Sequence, residues 1–291
     1  MRKFVVSALN VVMPTPHSPE RYVSLLREVM AMKQPVDLRN DLQGMLGSMR
    51  LEDDGNVVVG ELYRYFNLRL DAQWYNMLEQ KPAEEADLSK VSVPEHLKPH
   101  FKIFPYAFFP KHHRFFLISR EAKDSMTPGQ AQKLLKGLFR PEKIFQAYGA
   151  MEVHVEPARE NLERILSIPH LKRLHVEVTP PNPDDFHAAE LALFGDMLDQ
   201  NAGCLTQTWV ERTPQGLSPS QETKTLAAIA QSNGHVEGKG EDADGKLVQV
   251  STLDHPLLED VSYRPVTESR IERLKMKATE MLGRILQKPA S

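Results

Sequence analysis

Three β-hairpin patterns constrain the fold of this chain more than any other feature. In each pattern, two short runs of mainly apolar or alternating residues flank a turn built from Asp, Asn, Gly or Pro. The runs cover residues 46–51 and 57–68, residues 101–109 and 114–119, and residues 235–239 and 246–251. Strands joined by so few residues pair antiparallel, so the sequence predicts antiparallel sheet in at least three places.

Helix-start signals alternate with the predicted strands. Ser18 precedes Pro19 and Thr127 precedes Pro128, and such pairs are typical of helix N-termini. From residue 151 strands and helices alternate, and a final basic helix is predicted over residues 267–287. These patterns indicate an α+β fold with mixed or antiparallel sheets. We expect helices packed on one face and βαβ-like units in the C-terminal two-thirds.

A change of composition suggests a division of the chain. Residues 79–99 contain three prolines and the acidic run Glu84-Glu85-Ala86-Asp87, which is typical of a linker. We therefore predict an N-terminal α+β region over residues 1–78 and a C-terminal α+β domain over residues 100–291.

Composition narrows the compartment and the class of protein. The chain is 41% hydrophobic and 26% charged, as expected of a globular protein. Its single cysteine, Cys204, cannot form an internal disulfide, which favours a reducing compartment. The apolar start is interrupted by Ser7 and Asn10 and reads as a strand. We expect a soluble, cytoplasmic protein without membrane insertion.

Two His-x-Glu pairs are the first candidates for chemistry. His154 and Glu156 share one face of a predicted strand, as do His175 and Glu177. A strand–helix–strand crossover would place the two strands side by side and suit a divalent metal or acid–base catalysis. The alternative is that these polar residues decorate exposed strand faces, with valines filling the other face.

A second candidate is Glu237-Gly238-Lys239, which resembles the final element of a metal-dependent nuclease site. Such sites also need an upstream aspartate, and no convincing one is present. The same pattern recurs at Glu121-Ala122-Lys123 and Glu222-Thr223-Lys224, so it has low specificity. No nucleotide-binding or nucleophile-elbow motif occurs. The motifs assign neither a cofactor nor a metal, and a non-enzymatic protein is favoured over an enzyme.

Basic residues give the strongest indication of binding. They occur at helical spacing after Thr127, just beyond that helix, and in the preceding hairpin turn, and positive charge grouped in this way favours phosphate contacts. The candidate contacts are Lys111, Arg114, Lys133, Lys136, Arg140 and Lys143. The net charge of −3 means that nucleic acid must be bound by such a local patch. The alternative is that these lysines are the solvated face of an amphipathic helix.

The final helix carries an apolar seam formed by Ile271, Leu274, Ala278, Met281 and Ile285. This seam spans two heptads, which is too short for an independent coiled coil. Packing on the protein's own core is the main interpretation. The alternative is dimerisation, or contact with a phage protein, through the seam.

Several ordered segments resemble an uncharacterised family of bacterial and prophage proteins, a domain of unknown function. One of them is Pro105-Tyr106-Ala107-Phe108-Phe109-Pro110-Lys111-His112-His113. The others are residues 8–11, 166–169, 181–185, 217–224, 233–234 and 251–256. In element order alone, the chain is similar to the A protein of the lambda Rex exclusion system and to the B protein of the Kiwa antiphage system.

That similarity implies an oligomeric, DNA-binding component of phage defence. We therefore expect a non-enzymatic protein that binds nucleic acid, DNA in the first instance, as a homo-oligomer. A second defence-system protein or a phage protein is an expected partner. The alternatives are a metal-dependent nuclease toxin and a protein-interaction subunit that senses a phage protein.

Overall fold

The computed structural model describes residues 1–69, 71–158, 160–180 and 188–287, with backbone alone for residues 188–190. The strands are β1 (Arg2–Val12), β2 (Val36–Arg39), β3 (Leu42–Glu52), β4 (Val57–Phe66), β5 (Tyr75–Asn76), β6 (Lys81–Pro82), β7 (Lys102–Phe109), β8 (Arg114–Glu121), β9 (Asp124–Ser125), β10 (Glu152–Val155), β11 (His170–Val178), β12 (Leu205–Val210), β13 (Gly234–Glu241), β14 (Leu247–Ser251) and β15 (Leu258–Tyr263). The helices are α1 (Pro19–Met32), α2 (Glu85–Leu88), α3 (Pro128–Phe139), α4 (Glu142–Tyr148), α5 (Glu160–Leu166), α6 (Ala188–Asp199), α7 (Gln221–Ser232) and α8 (Arg270–Leu286).

The first sheet is built around the N-terminal strand β1. Its main order is β10-β1-β8-β7-β4-β3-β2, with β15 also paired to β1 and β9 to β8. One edge of β1 pairs with β8, and its other edge pairs with β15 and then with β10. All of these pairs are antiparallel. The first and last strands in the described part of the chain therefore lie side by side, with β1 one strand in from the edge that β10 and β15 form.

Both faces of the first sheet are covered because β1 is apolar on both sides. Leu9 and Val11 belong to a core shared with α1, α3 and α4, whereas Phe4 and Val6 belong to a core shared with α8. Alternate residues of a strand point to opposite faces, so the sheet lies between two helical layers. The α+β class and the mainly antiparallel sheets are confirmed. Helices were expected on one face of a sheet, but in this first sheet they cover both faces.

The second sheet has the order β12-β11-β13-β14 and is antiparallel throughout. Leu174, Val176 and Val236 pack against residues of α5 and α7 on one face. Strands β12 and β13 both run antiparallel to β11, so they are parallel to each other and are connected through α7. This arrangement is a split β–α–β unit, of the kind predicted for this part of the chain.

The predicted division at residues 79–99 is not where the sheets divide. Strand β4 lies before this segment and β7 after it, and the two pair along Val58–Arg64 and Lys102–Phe108. Segment 79–99 belongs to an excursion from the first sheet that carries the small β5–β6 hairpin and α2. The second sheet is instead inserted between β10 and β15, where Pro157 and Pro256 form a bridge.

The hairpins predicted around residues 52–56, 110–113 and 242–245 are confirmed as β3–β4, β7–β8 and β13–β14. The helix predicted over residues 184–198 is seen as α6, and its first part lies outside the described residues. None of the helices in the described ranges is long and apolar enough to cross a bilayer.

The apolar seam of the last helix packs on the protein's own core. Leu274, Ala278 and Met281 are fully buried in α8 against the first sheet, whereas Met276 is 61% exposed. The main interpretation of the seam is thus confirmed. Dimerisation through these buried residues would require α8 to leave the sheet.

Candidate metal site on the open face of the second sheet

Among the residues that the structure describes, helices pack on one face of the second sheet, and we call the other face the open face. Model Cβ atoms at Gly238 and Gly240 would meet Ile165 and Ile168, so these glycines face the helical layer. The alternate residues of β13 therefore face away from the helical layer. The open face consists of Thr206, Thr208 and Val210 of β12, Arg173, His175 and Glu177 of β11, His235, Glu237 and Lys239 of β13, and Gln249 and Ser251 of β14.

The strand register arranges this face in rows. In the first row Glu177 lies opposite His235, and in the second row His175 lies opposite Glu237. In the third row Arg173 lies opposite Lys239. Directly opposite side chains in antiparallel strands are near neighbours, so residues far apart in sequence become adjacent here.

His175, Glu177 and His235 form a possible metal-binding cluster. One ligand atom from each lies within 4.8 Å of the other two. Glu177 Oε1 is 3.8 Å from Nδ1 of His235, and the two imidazole rings have centroids 5.5 Å apart. In a tetrahedral zinc site with ligand bonds of about 2.0–2.2 Å, two ligand atoms lie roughly 3.3–3.6 Å apart, so these atoms must move closer together to share one ion. Small rotations of these half-exposed side chains would bring all three onto one ion.

Neighbouring polar groups hold the rings of this region in place. Nδ1 of His175 hydrogen-bonds with the Thr208 hydroxyl at 2.8 Å, which leaves Nε2 as the available ligand atom on that ring. A second hydrogen bond that fixes the unused ring nitrogen is common in metal-binding histidines.

The four residues of the two predicted His-x-Glu pairs do not converge as a group. Strand β10, which carries His154, belongs to the first sheet, and β11 belongs to the second. The adjacency expected for these strands is therefore wrong. Glu156 is buried and forms an ion pair with Nε of Arg114 at 2.7 Å. It is thus part of the interior that joins the two sheets.

His154 lies beside the metal-binding cluster without belonging to it. Its Nε2 is 3.2 Å from the Thr179 hydroxyl, and that hydroxyl donates to the carbonyl of Asn233. Nε2 therefore carries the proton and donates to Thr179. Burial lowers the pKa of His154 to about 4, and the charges of Lys136 and His235 act in the same direction.

His235 is the functional candidate that the sequence prediction missed. The signal was present, because His235-Val236-Glu237 repeats the His-x-Glu spacing of the two predicted pairs. It shares Glu237 with the Glu237-Gly238-Lys239 pattern, and only Glu237 and Lys239 of this segment were predicted as site residues. What sequence alone does not give is the register that sets His235 opposite Glu177.

Glu237 and Lys239 also lie on the open face, as the alternation of their strand requires. Lys239 Nζ is 3.5 Å from a carboxylate oxygen of Glu237. The position opposite Glu237 on β11 holds His175, where the nuclease pattern would require an aspartate. Only the second His-x-Glu pair, His175 and Glu177, shares one surface with Glu237 and Lys239.

The predicted basic stripe is only partly available to a ligand. Lys136 pairs with Glu152 at 2.9 Å and Lys143 with Glu28 at 3.6 Å, while Lys133 donates to the carbonyl of Leu38. Lys111 and Arg140 are exposed. Arg114 is 5% exposed and paired with Glu156, so its side chain cannot reach a bound phosphate.

Comparison with known protein families places nearly the whole chain in one family. The model of a family described as a domain of unknown function, DUF4747, matches residues 2–279. No curated protein matches the chain.

Proposed function

Because the chain belongs to the DUF4747 family of unknown function, we propose its activity from the open face: it is a divalent-metal-dependent hydrolase. The observation that carries this proposal is the grouping of ligand atoms from His175, Glu177 and His235 within 4.8 Å. A metal-dependent nuclease is one member of this class.

The ligand set suits an ion that accepts both nitrogen and oxygen. Two imidazoles and one carboxylate bind Zn²⁺, Mn²⁺ or Fe²⁺. Three protein ligands also leave coordination positions for water or substrate, which is typical of catalytic rather than structural sites. The site lies on an exposed sheet face, so a substrate can approach it.

Hydrolysis also needs an acceptor for the proton of the attacking water. A divalent ion held by His175, Glu177 and His235 would polarise the substrate and make the attacking water more acidic. Glu237 lies directly opposite His175 and is the carboxylate placed to accept the proton. The water oxygen bonds to the electrophilic atom, the bond to the leaving oxygen breaks, and the proton passes from Glu237 to that oxygen.

Metal binding by purified protein is the direct test, using His235→Gln and Glu177→Gln. We expect the wild-type protein to bind about one Zn²⁺ or Mn²⁺ per chain, and each variant to bind it roughly a hundredfold more weakly. Isothermal titration calorimetry and metal analysis after dialysis measure this. His170→Gln is the matched control, since His170 is an exposed histidine at the start of the same strand.

A wild-type protein that takes up no metal would refute the proposal. Equal weakening by His170→Gln and His235→Gln would also count against it. Glu237→Gln separates binding from catalysis, because it should retain the metal and lose hydrolysis of nucleic-acid substrates. Cleavage that persists in Glu237→Gln would remove this residue from the mechanism.

A second proposal is that α3 binds nucleic acid without catalysis. Lys133, Lys136 and Arg140 are exposed along one side of this helix and its C-terminal end. Their replacement together by glutamate should weaken affinity for duplex DNA strongly and reduce the salt dependence of the binding that remains, as measured by fluorescence anisotropy. Unchanged affinity and salt slope would exclude this helix. A DNA target, homo-oligomer assembly and a role in bacterial or prophage defence are further proposals that rest on the resemblance.

A further inference from the structure

The third row of the open face carries two adjacent cations. Arg173 lies directly opposite Lys239, and both are exposed or half-exposed. Among the described residues, Arg173 takes part in no ion pair. An exposed guanidinium beside an ammonium presents several donors to one anion.

The charges around this row also favour an anion. Lys172 and Glu241 pair at 2.6 Å at the end of the sheet next to Arg173, and Glu211, the residue after β12, adds a further negative charge beside Lys172. Glu237 offsets part of the charge of Lys239 from the other side. When a divalent ion is bound at Glu177, positive charge exceeds negative charge across the three rows. The surface then suits an anion that bridges the metal and the cationic row.

The spacing of residues along the strands sets the distance that such an anion must span between the metal and the cationic row. Consecutive rows are two residues apart, or roughly 7 Å. The metal ligands occupy the first and second rows, Glu237 the second, and the cations the third. The long side chains of Arg173 and Lys239 can lean across one row, so they reach an oxygen of a group held between the metal and Glu237. Guanidinium groups recognise phosphate oxygens by paired hydrogen bonds.

We propose that Arg173 and Lys239 form a phosphate-binding subsite, so that the substrates of this site are phosphate esters. This inference rests on the proposed metal-dependent function, and it specifies the substrate class for the same surface. The cations hold the non-bridging oxygens of the phosphate and offset the negative charge that grows on it during attack. They have no comparable role for an uncharged ester or amide.

Binding to the Zn²⁺-loaded full-length protein tests the proposal. The variants are Arg173→Gln and Lys239→Gln, and Lys224→Gln is the matched control. Lys224 is exposed on α7, which covers the opposite face of the same sheet. The probes are inorganic phosphate, measured by calorimetry, and a short fluorescent single-stranded oligonucleotide, measured by anisotropy.

We expect Arg173→Gln and Lys239→Gln each to weaken phosphate binding roughly tenfold and to leave Zn²⁺ affinity within about twofold. The control should match the wild-type protein in both measurements. Comparison of oligonucleotides with and without a terminal phosphate then shows whether the site binds a terminal phosphate or an internal one. Preference for the phosphorylated end indicates a monoester, and equal binding indicates an internal diester.

Two results would overturn the inference while the proposed function stands. They are a Zn²⁺-loaded protein that does not bind phosphate, and variants that bind phosphate as tightly as Lys224→Gln does. Failure of the wild-type protein to bind Zn²⁺ is a separate result. It overturns the metal-dependent function itself, together with the substrate class inferred from it.

Discussion

At the scale of single residues, the position of His235 depends on the glycine before it. A Cβ atom at Gly234 would lie 1.9 Å from the carbonyl oxygen of Glu177, closer than any side chain tolerates. Only glycine lets β13 approach β11 at this point. The same two backbone segments carry Glu177 and His235, so the close approach brings two of the three candidate ligands together.

Replacement of Gly234 by alanine should therefore affect stability and metal binding together. The strands must separate locally, which we expect to lower the free energy of unfolding by roughly 1–3 kcal/mol and to weaken Zn²⁺ affinity. Urea unfolding and calorimetric titration measure the two effects. Gly129→Ala is the control, because a Cβ there meets nothing within 4 Å. Full metal affinity in Gly234→Ala would show that strand separation is unimportant for the site.

At the scale of elements, α8 closes the second helical layer of the first sheet. Its apolar side is buried against β1, β7, β8 and β15. Ion pairs hold both flanks of the helix to neighbouring elements. Lys275 binds Glu52 at 2.7 Å, and Lys277 binds Glu259. The helix therefore acts as a part of the core and not as a free docking surface.

Leu274→Ala tests this role of α8. Leu274 is fully buried, and removal of such a side chain costs about 2–5 kcal/mol of unfolding free energy. The exposed residue Met276 on the same helix provides the control, since Met276→Ala should change stability by less than about 0.5 kcal/mol. Urea denaturation measures both changes. A change of molecular mass in Leu274→Ala with stability unchanged would instead indicate an intermolecular seam.

The secondary-structure elements could be predicted from sequence far better than the pairing between strands could. Turn residues and helix caps are local signals, and they gave the three hairpins and most helices. The partner of β10 is distant in sequence, since β10, in the middle of the chain, pairs with β1 at the N-terminus. For that reason His154 and His175 lie in different sheets. Burial is similarly non-local, and so helical spacing could not show that Arg114 would be paired with Glu156 inside the protein.

At the scale of the whole molecule, the buried His113 and the half-buried His154 link stability to pH. Burial, followed by the charge of Arg114, lowers the pKa of His113 to about 3. His154 has a pKa of about 4, also mainly because of burial. Both lie well below the ordinary value of 6.5, so the unfolded chain binds protons that the folded protein excludes. Acid therefore favours unfolding.

The stabilising contribution of these histidines is complete above about pH 6.5 and is lost as the pH falls towards about 4 for His154 and about 3 for His113. Each histidine should add a slope of up to roughly 1.4 kcal/mol per pH unit in this window. Urea unfolding at several pH values measures the slope. His113→Asn suits the positive φ of 57° at this position and should flatten the curve even if it lowers stability overall. An unchanged slope would show that His113 does not titrate in this window.

The insertion of the second sheet has a consequence for the modularity of the chain. The polypeptide leaves the first sheet at Pro157 and returns at Pro256, its bridge partner. Leu257 N–H also donates to the carbonyl of Glu156 at 2.7 Å, so exit and entry points are directly adjacent. A segment whose two ends are adjacent can be replaced by a short loop between those ends. The order of the strands in the first sheet would then stay the same. The candidate metal ligands all lie within this segment, so we expect them to stay together when it is moved and to lose the contacts that Asn233 and Thr179 make with the first sheet.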